Sequence, residues 1–197
     1  MKQALKMHRS TAVAAAVFMI LSQVLDVAAS LSSYTTYTSP LFLINLLSDV
    51  LITVMLSIIL FRGKKDTAAG VVFLLAILFP VVEVPFHLMS LLLGAGSTAY
   101  VLLCLVAALI LAAFRGLLAG ECLSRGKVSA GGVRVLLWLL PLLCFCVELL
   151  AQISLQRDYQ MGIGESVAGS LIYVIPKWLG PFLMGIALSK PGVGENS

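Results

Sequence analysis

Six titratable side chains, Asp26, Asp49, Glu83, His87, Glu148 and Lys177, lie inside long apolar stretches of this chain. An ionisable group at the centre of a bilayer costs about 2.5–3.5 kcal/mol on insertion scales, so each is expected to face protein or water rather than lipid. With His87 neutral, four carboxylates against one ammonium leave an excess of negative charge, and like charges in low dielectric do not all stay ionised. Such a group either holds protons or binds a cation, and both outcomes suit a transporter. The bland alternative is interhelical glue, with Lys177 paired to Asp49 or Glu148, in contacts worth about 0.6–2 kcal/mol each.

The spacing sharpens this. Residues three or four apart share a helix face, and the polar residues follow that rule in five segments. Ser22, Asp26 and Ser30 form the first stripe, with Gln23 alongside. Asn45, Asp49, Thr53 and Ser57 form the second, and Glu83, His87 and Ser90 the third. Cys144, Glu148, Gln152 and Gln156 recur every fourth residue, and Ser170, Tyr173, Lys177 and Gly180 complete the set. One further apolar segment, Val101 to Phe114, has only Cys104 and is expected at the periphery. Arg115 at its end is expected to snorkel to the surface. The candidate substrate- or ion-binding residues are therefore Asp26, Asn45, Asp49, Glu83, His87, Glu148, Gln152, Tyr173 and Lys177.

Catalysis has less support. Glu83 and His87 have a metal-compatible i, i+4 spacing, but His87 is the only histidine within these stretches, which excludes a His-rich metal centre. No HExxH, GxSxG, Walker or paired-histidine haem pattern is present. An Asp26–Asp49 dyad is geometrically conceivable, yet no surrounding motif supports intramembrane proteolysis. No catalytic residue, metal or cofactor is assigned.

The elements that must hold these stripes are membrane helices. The 197 residues are 60% hydrophobic and 11% charged, against about 25% charged in soluble domains, and mean hydropathy is +1.07. Six apolar stretches, about 10–30, 40–61, 67–93, 97–118, 134–156 and 166–188, are each long enough to cross a bilayer. The fold class is all-α: one integral membrane domain, residues 1–197, of six transmembrane helices, with the lipid bilayer as its first partner. Lys and Arg alternate along the segments outside the helices. Lys2, Lys6 and Arg9 precede the first helix, Arg62, Lys64 and Lys65 follow the second, and Arg125 and Lys127 follow the fourth, while the first and third loops have none. The positive-inside rule puts both termini in the cytoplasm, and basic residues confined to helix ends give no sign of nucleic-acid binding.

On that topology the stripes converge in the outer half, as in a pocket open to the outside. Tyr34, Tyr37, Tyr100 and Tyr159 fit an interfacial belt, or for Tyr34 and Tyr37 a lid over the pocket. Residues 1–29 also have the layout of a signal peptide, ending Val27-Ala28-Ala29 before Ser30; the polar face of Asp26, matching the other helices, favours a retained span. The cysteines 104, 122, 144 and 146 read as packing residues, with Cys122 in a cytoplasmic loop. Pro80 with Pro85, and Pro176 with Pro181, mark helix breaks at matching places, a pattern that fits an inverted repeat.

Ala12 and Ala16 form a small-xxx-small pair on which a partner membrane subunit could dock. With the 31–39 loop, these residues make the chain similar in architecture to the substrate-binding subunits of energy-coupling-factor vitamin transporters. That resemblance implies an outward-facing pocket under a first-loop lid and an alanine-rich first helix that docks a coupling subunit. The favoured expectation is a protein binding or transporting a small solute, cationic by the charge of the site, or protons. The alternative is a non-transporting accessory or scaffold protein whose polar cluster only fixes helix packing.

Overall fold

The computed structural model describes residues 5–32, 40–93, 97–124, 131–158 and 162–189, with the side chains of 5, 29–32, 40–45, 82, 83, 86, 131, 133 and 158 excepted. The expected lid at Tyr34 and Tyr37, the belt residue Tyr159 and the basic residues Lys2, Arg125 and Lys127 lie outside the described residues. So do the side chains of Asn45 and Glu83.

Six helices follow in order: α1 Arg9–Ser32, α2 Pro40–Arg62, α3 Thr67–Leu92, α4 Thr98–Leu123, α5 Gly131–Asp158 and α6 Ile163–Ser189. Two short strands, β1 Leu5–Lys6 and β2 Lys64–Lys65, join them in an antiparallel ladder that the all-α reading did not include. Each helix packs on its neighbours in sequence, and α1 packs on α6. Over the described residues, Arg9–Ala28, Thr98–Leu123, Arg134–Arg157 and Ile163–Ser189 are long and apolar enough to span a bilayer, and α3 adds the shorter run Thr67–Val81. The outward faces are apolar, with Leu51 and Leu78 each 60% exposed and Ile172 77% exposed. A surface of that kind suits lipid, because holding so much apolar area in water is costly.

Helix α4 lies between α3 and α5 and is not peripheral. It buries Ala108, Phe114, Leu118, Ala119 and Cys122. A polar stripe is not needed to place a helix inside; small and aliphatic side chains that fit their neighbours suffice. It also runs past residue 118, so Cys122 belongs to the helix and is fully buried.

The end of the bundle that holds the β-ladder, the ribbon end, is tied together by polar contacts. Helix α2 stops at Gly63, whose φ of 61° is the left-handed region glycine enters freely. Asp66 caps α3, accepting from the Ala69 N–H at 2.9 Å. The Met7 N–H donates to the Gly63 carbonyl at 2.9 Å and the His8 N–H to Ala187 at 3.1 Å. Lys65, expected as a loop charge, is only 5% exposed. Its Nζ donates to the Leu188 carbonyl at 2.5 Å and stands 3.6 Å from the equally buried Glu121 carboxylate. Above this end lies a dry core of Ala12, Ala15, Ala16, Leu60, Phe73 and Leu118 with their neighbours. Ala12 and Ala16 are fully buried, so the small-residue face packs within this chain.

The prolines do not break their helices. Both α3 and α6 run continuously through two prolines, and α5 through Pro141. Each proline still leaves the carbonyl four residues earlier without its N–H, and two of these carbonyls have identifiable neighbours. Pro80 frees Ala76, whose oxygen accepts from Arg115 at 2.5 Å. Arg115 therefore turns inward, where snorkelling was expected, because a carbonyl in an apolar bundle needs a donor more than the guanidinium needs the surface. Pro141 frees Leu137, and Gly185 of α6 packs directly on that carbonyl. Gly180 gives α1 the same close approach at Ala15 and Met19.

Two outcomes test this packing. Gly185→Ala puts a methyl into the Leu137 carbonyl and is expected to cost about 1–3 kcal/mol, while Gly120→Ala, which meets nothing within 4 Å, is expected to gain about 0.5–1 kcal/mol. Lys65→Met is expected to cost about 3 kcal/mol by stranding Glu121, and adding Glu121→Leu to recover most of it. Thermal unfolding in detergent micelles measures both; a Gly185→Ala protein as stable as its parent rejects the close approach.

Candidate functional site

The polar stripes meet in the half of the bundle away from the ribbon end. At 1.5 Å per helical residue, Lys177 and Asp49 stand about 18–20 Å from that end, and Asp26, Glu148 and Tyr173 about 25 Å. Below them the helices are packed by aliphatic and small residues. The division into a dry half and a polar half is the one the spacing predicts.

Glu148 on α5 is the best-defined member. It is 9% exposed. One carboxylate oxygen accepts from Lys177 Nζ at 2.5 Å and the other from Trp178 Nε1 at 2.5 Å. Two consecutive residues of α6 thus hold both oxygens of one carboxylate. The Lys177 ammonium also lies 5.9 Å from the centre of the Tyr173 ring, within cation–π range. Asp26 on α1 feels the charges of both Lys177 and Glu148. Tyr173 is within electrostatic reach of Asp26, Asp49, Glu148 and Lys177 together. Five predicted residues from α1, α2, α5 and α6 therefore form one group.

Helix α1 is joined to α2 beside this group by a hydrogen bond from the Thr53 hydroxyl to Gln23 Oε1 at 2.9 Å. Ser22 is buried, and Gln152 is half-buried on the α5 face that carries Glu148. His87 on α3 is half-buried, and no charge of the group acts on it. The side chains of Glu83 and Asn45 are not among those described. Gly180, placed at the foot of the α6 stripe, serves the contact with α1.

Sequence reasoning missed three contributors. Tyr100 of α4, read as a belt residue, stands beside Cys104 and within reach of Lys177 and Tyr173. Trp178, next to Lys177 on α6, donates to Glu148 and was not among the candidate residues. Ser166, one turn before Ser170 and equally buried, continues the α6 stripe; the i, i+4 rule could have found it.

A concavity of about 170 Å³ lies between α5 and α6, lined by Pro141, Leu142, Phe145, Ile175, Trp178 and their apolar neighbours. It touches the group only through the Trp178 ring. Among the described residues no cluster of three metal-ligating side chains occurs, and none of the four cysteines forms a disulfide. No protein-family model, curated protein or solved structure matches the chain. Its class is thus set by its own helices: an all-α protein with apolar faces suited to a membrane.

The Glu148 contacts predict an asymmetric double-mutant cycle. Lys177→Met alone is expected to cost about 2–3 kcal/mol, below the range for fully buried pairs because Lys177 is 40% exposed. Glu148→Gln added to it is expected to restore part of the loss. Trp178→Phe removes one charge-assisted hydrogen bond and is expected to cost about 1.5–3 kcal/mol. Strictly additive losses in thermal unfolding would show that these side chains do not interact.

Proposed function

We propose that this chain is a six-span protein of the cytoplasmic membrane, with both termini in the cytoplasm, that binds or transports a small cationic solute or protons through its polar group. The topology rests on the alternation of Lys and Arg, with the ribbon end and its Arg62 and Lys64 on the cytoplasmic side. One observation carries the function. Glu148 on α5 and Asp26 on α1 both act on the ammonium of Lys177, in the half of the bundle away from the ribbon end, and Tyr173 beside them is in reach of Asp49 on α2.

Lys177 engages Glu148, so the carboxylate of Asp26, within reach of both, exceeds the one ammonium there. A proton or a cation balances that excess most economically, since an unbalanced carboxylate in low dielectric is costly. In this reading Glu148, held by Lys177 and Trp178, fixes the geometry, and Asp26 with Asp49 carries the exchangeable charge. Gln152 and Tyr173 offer neutral hydrogen bonds beside them.

A second reading, a non-transporting accessory protein, draws on the closure of the Glu148 contacts. A carboxylate with both oxygens satisfied is what helix packing alone requires. Purified protein in vesicles loaded with a pH-sensitive dye separates the two. The transport reading expects proton flux down an imposed pH step, or uptake of radiolabelled methylammonium, several-fold above protein-free vesicles, and its loss in Asp26→Asn/Asp49→Asn. The accessory reading expects background flux for both proteins and a rise in thermal stability for the variant.

A further inference from the structure

The ribbon that ties the start of α1 to the α2–α3 turn carries unbalanced charge. In its antiparallel ladder Leu5 stands opposite Lys65, and Lys6 stands opposite Lys64. Successive residues of a strand point to opposite sides. Lys65 is buried against Glu121 and the Leu188 carbonyl, so Lys64 points outward. Lys6, directly across the ladder, shares its side, and both lysines are exposed. Residues in that relation have Cβ atoms about 4.5–5.5 Å apart, and like charges so placed destabilise a strand pair. The ladder nonetheless closes at this position.

The described carboxylates of this end are engaged elsewhere. Asp66 pairs with Arg62 at 2.6 Å, and Glu121 with Lys65 at 3.6 Å. Arg9, the first residue of α1 and three residues beyond Lys6, adds a further exposed cation. Among the described residues no carboxylate pairs with Lys6, Arg9 or Lys64. The place of the ribbon bears on which anion answers them. Helix α2 ends at Arg62 and α3 begins at Thr67, so the lysines lie at the level where the helices leave the apolar layer. Leading to them, α2 shows an apolar row: Leu51, Val54, Ile58 and Phe61, at i, i+3, i+7 and i+10, are all exposed. The row covers about 15 Å, half of a hydrocarbon core of about 30 Å and so the depth of one leaflet. An apolar track of that length, ending three residues short of Lys64, has the layout of a lipid.

We propose that Lys6 and Lys64, with Arg9, bind the acidic headgroup of an anionic membrane phospholipid whose acyl chain lies along the Leu51–Phe61 row of α2. Phosphate oxygens accept charge-assisted hydrogen bonds from both ammonium groups, so the repulsion across the ladder is replaced by a shared attraction. The bound lipid thereby holds the N-terminal strand on the α2–α3 turn. A zwitterionic lipid brings its own cation to the same place and loses most of that gain. The inference stands apart from the transport reading, because none of these residues belongs to the polar group around Glu148.

The experiment is native mass spectrometry of the full-length protein released from micelles holding equal amounts of phosphatidylglycerol and phosphatidylcholine. Expected is retention of phosphatidylglycerol about fivefold or more over phosphatidylcholine. Lys64→Gln is expected to bring that ratio toward one, and Lys64→Arg to keep it. Arg157→Gln, which removes the same charge from the exposed far end of α5, is expected to keep it as well. No preference in the unaltered protein overturns the proposal and needs no variant to fold. An equal fall in Arg157→Gln also overturns it, since overall charge then sets the preference. Displacement of the lipid by millimolar inorganic phosphate or glycerol phosphate rejects a lipid occupant in favour of a soluble anion. Thermal unfolding in micelles of each lipid gives a second reading. With phosphatidylcholine, Lys64→Gln is expected to match or exceed its parent, because the repulsion is gone; with phosphatidylglycerol it is expected to lack the parent's gain. The same loss of stability in both lipids rejects the like-charged pair as the binding site.

Discussion

A carboxylate in apolar surroundings must find a donor for each oxygen, and Glu148 meets that demand with Lys177 and Trp178. The two donors are neighbours on one helix, so they can converge on one acid only if α5 and α6 hold a single axial position. Two other contacts keep the same antiparallel register: Gln156 against Gly169 at the upper end and Leu137 against Gly185 at the lower. Together they span about 28 Å of α5. Helix α6 then carries that order to α1, which lies against Gly180, and through its last turn to Lys65 at the ribbon end. The bundle is arranged around α6 because α6 supplies the partners that buried charge requires.

Proline is used here as a source of acceptors. A helix inside an apolar bundle has no water to satisfy a carbonyl that proline has freed. Ala76 gains the guanidinium of Arg115, and Leu137 gains the close backbone of Gly185, a geometry suited to a weak Cα–H contact. In both cases a residue on one helix is explained by a proline on another. The same economy accounts for Arg115 turning into the bundle.

The two halves of the molecule differ in what holds them. Near the ribbon end the helices meet through alanines, glycines and aliphatic side chains, and a buried ion pair, Lys65 with Glu121, is locked beside the ladder. Away from it they meet through acids, amides, hydroxyls and tyrosines. The dry half is closely packed by side chains that need no partner, and the polar half gathers the groups that do.

How much of this was legible in the sequence follows from what is local. Helix existence, length and apolar character were readable to within a few residues, since hydropathy and 3.6-residue periodicity belong to each segment alone. The convergence of Asp26, Asp49, Glu148, Tyr173 and Lys177 followed from the same periodicity together with depth. The place of α4 was not readable, because an aliphatic helix fits lipid or protein equally well until its neighbours are known. Nor were the burial of Lys65, the inward turn of Arg115 or the choice of Glu148 over Asp49 as partner of Lys177. Each depends on which groups from distant parts of the chain arrive within about 3 Å, and that distance is set by helix packing. The sequence by itself determined that charges are buried in apolar helices and on which faces; only the tertiary structure decided which donor meets which acceptor, because pairing is a property of register between helices and not of any helix alone.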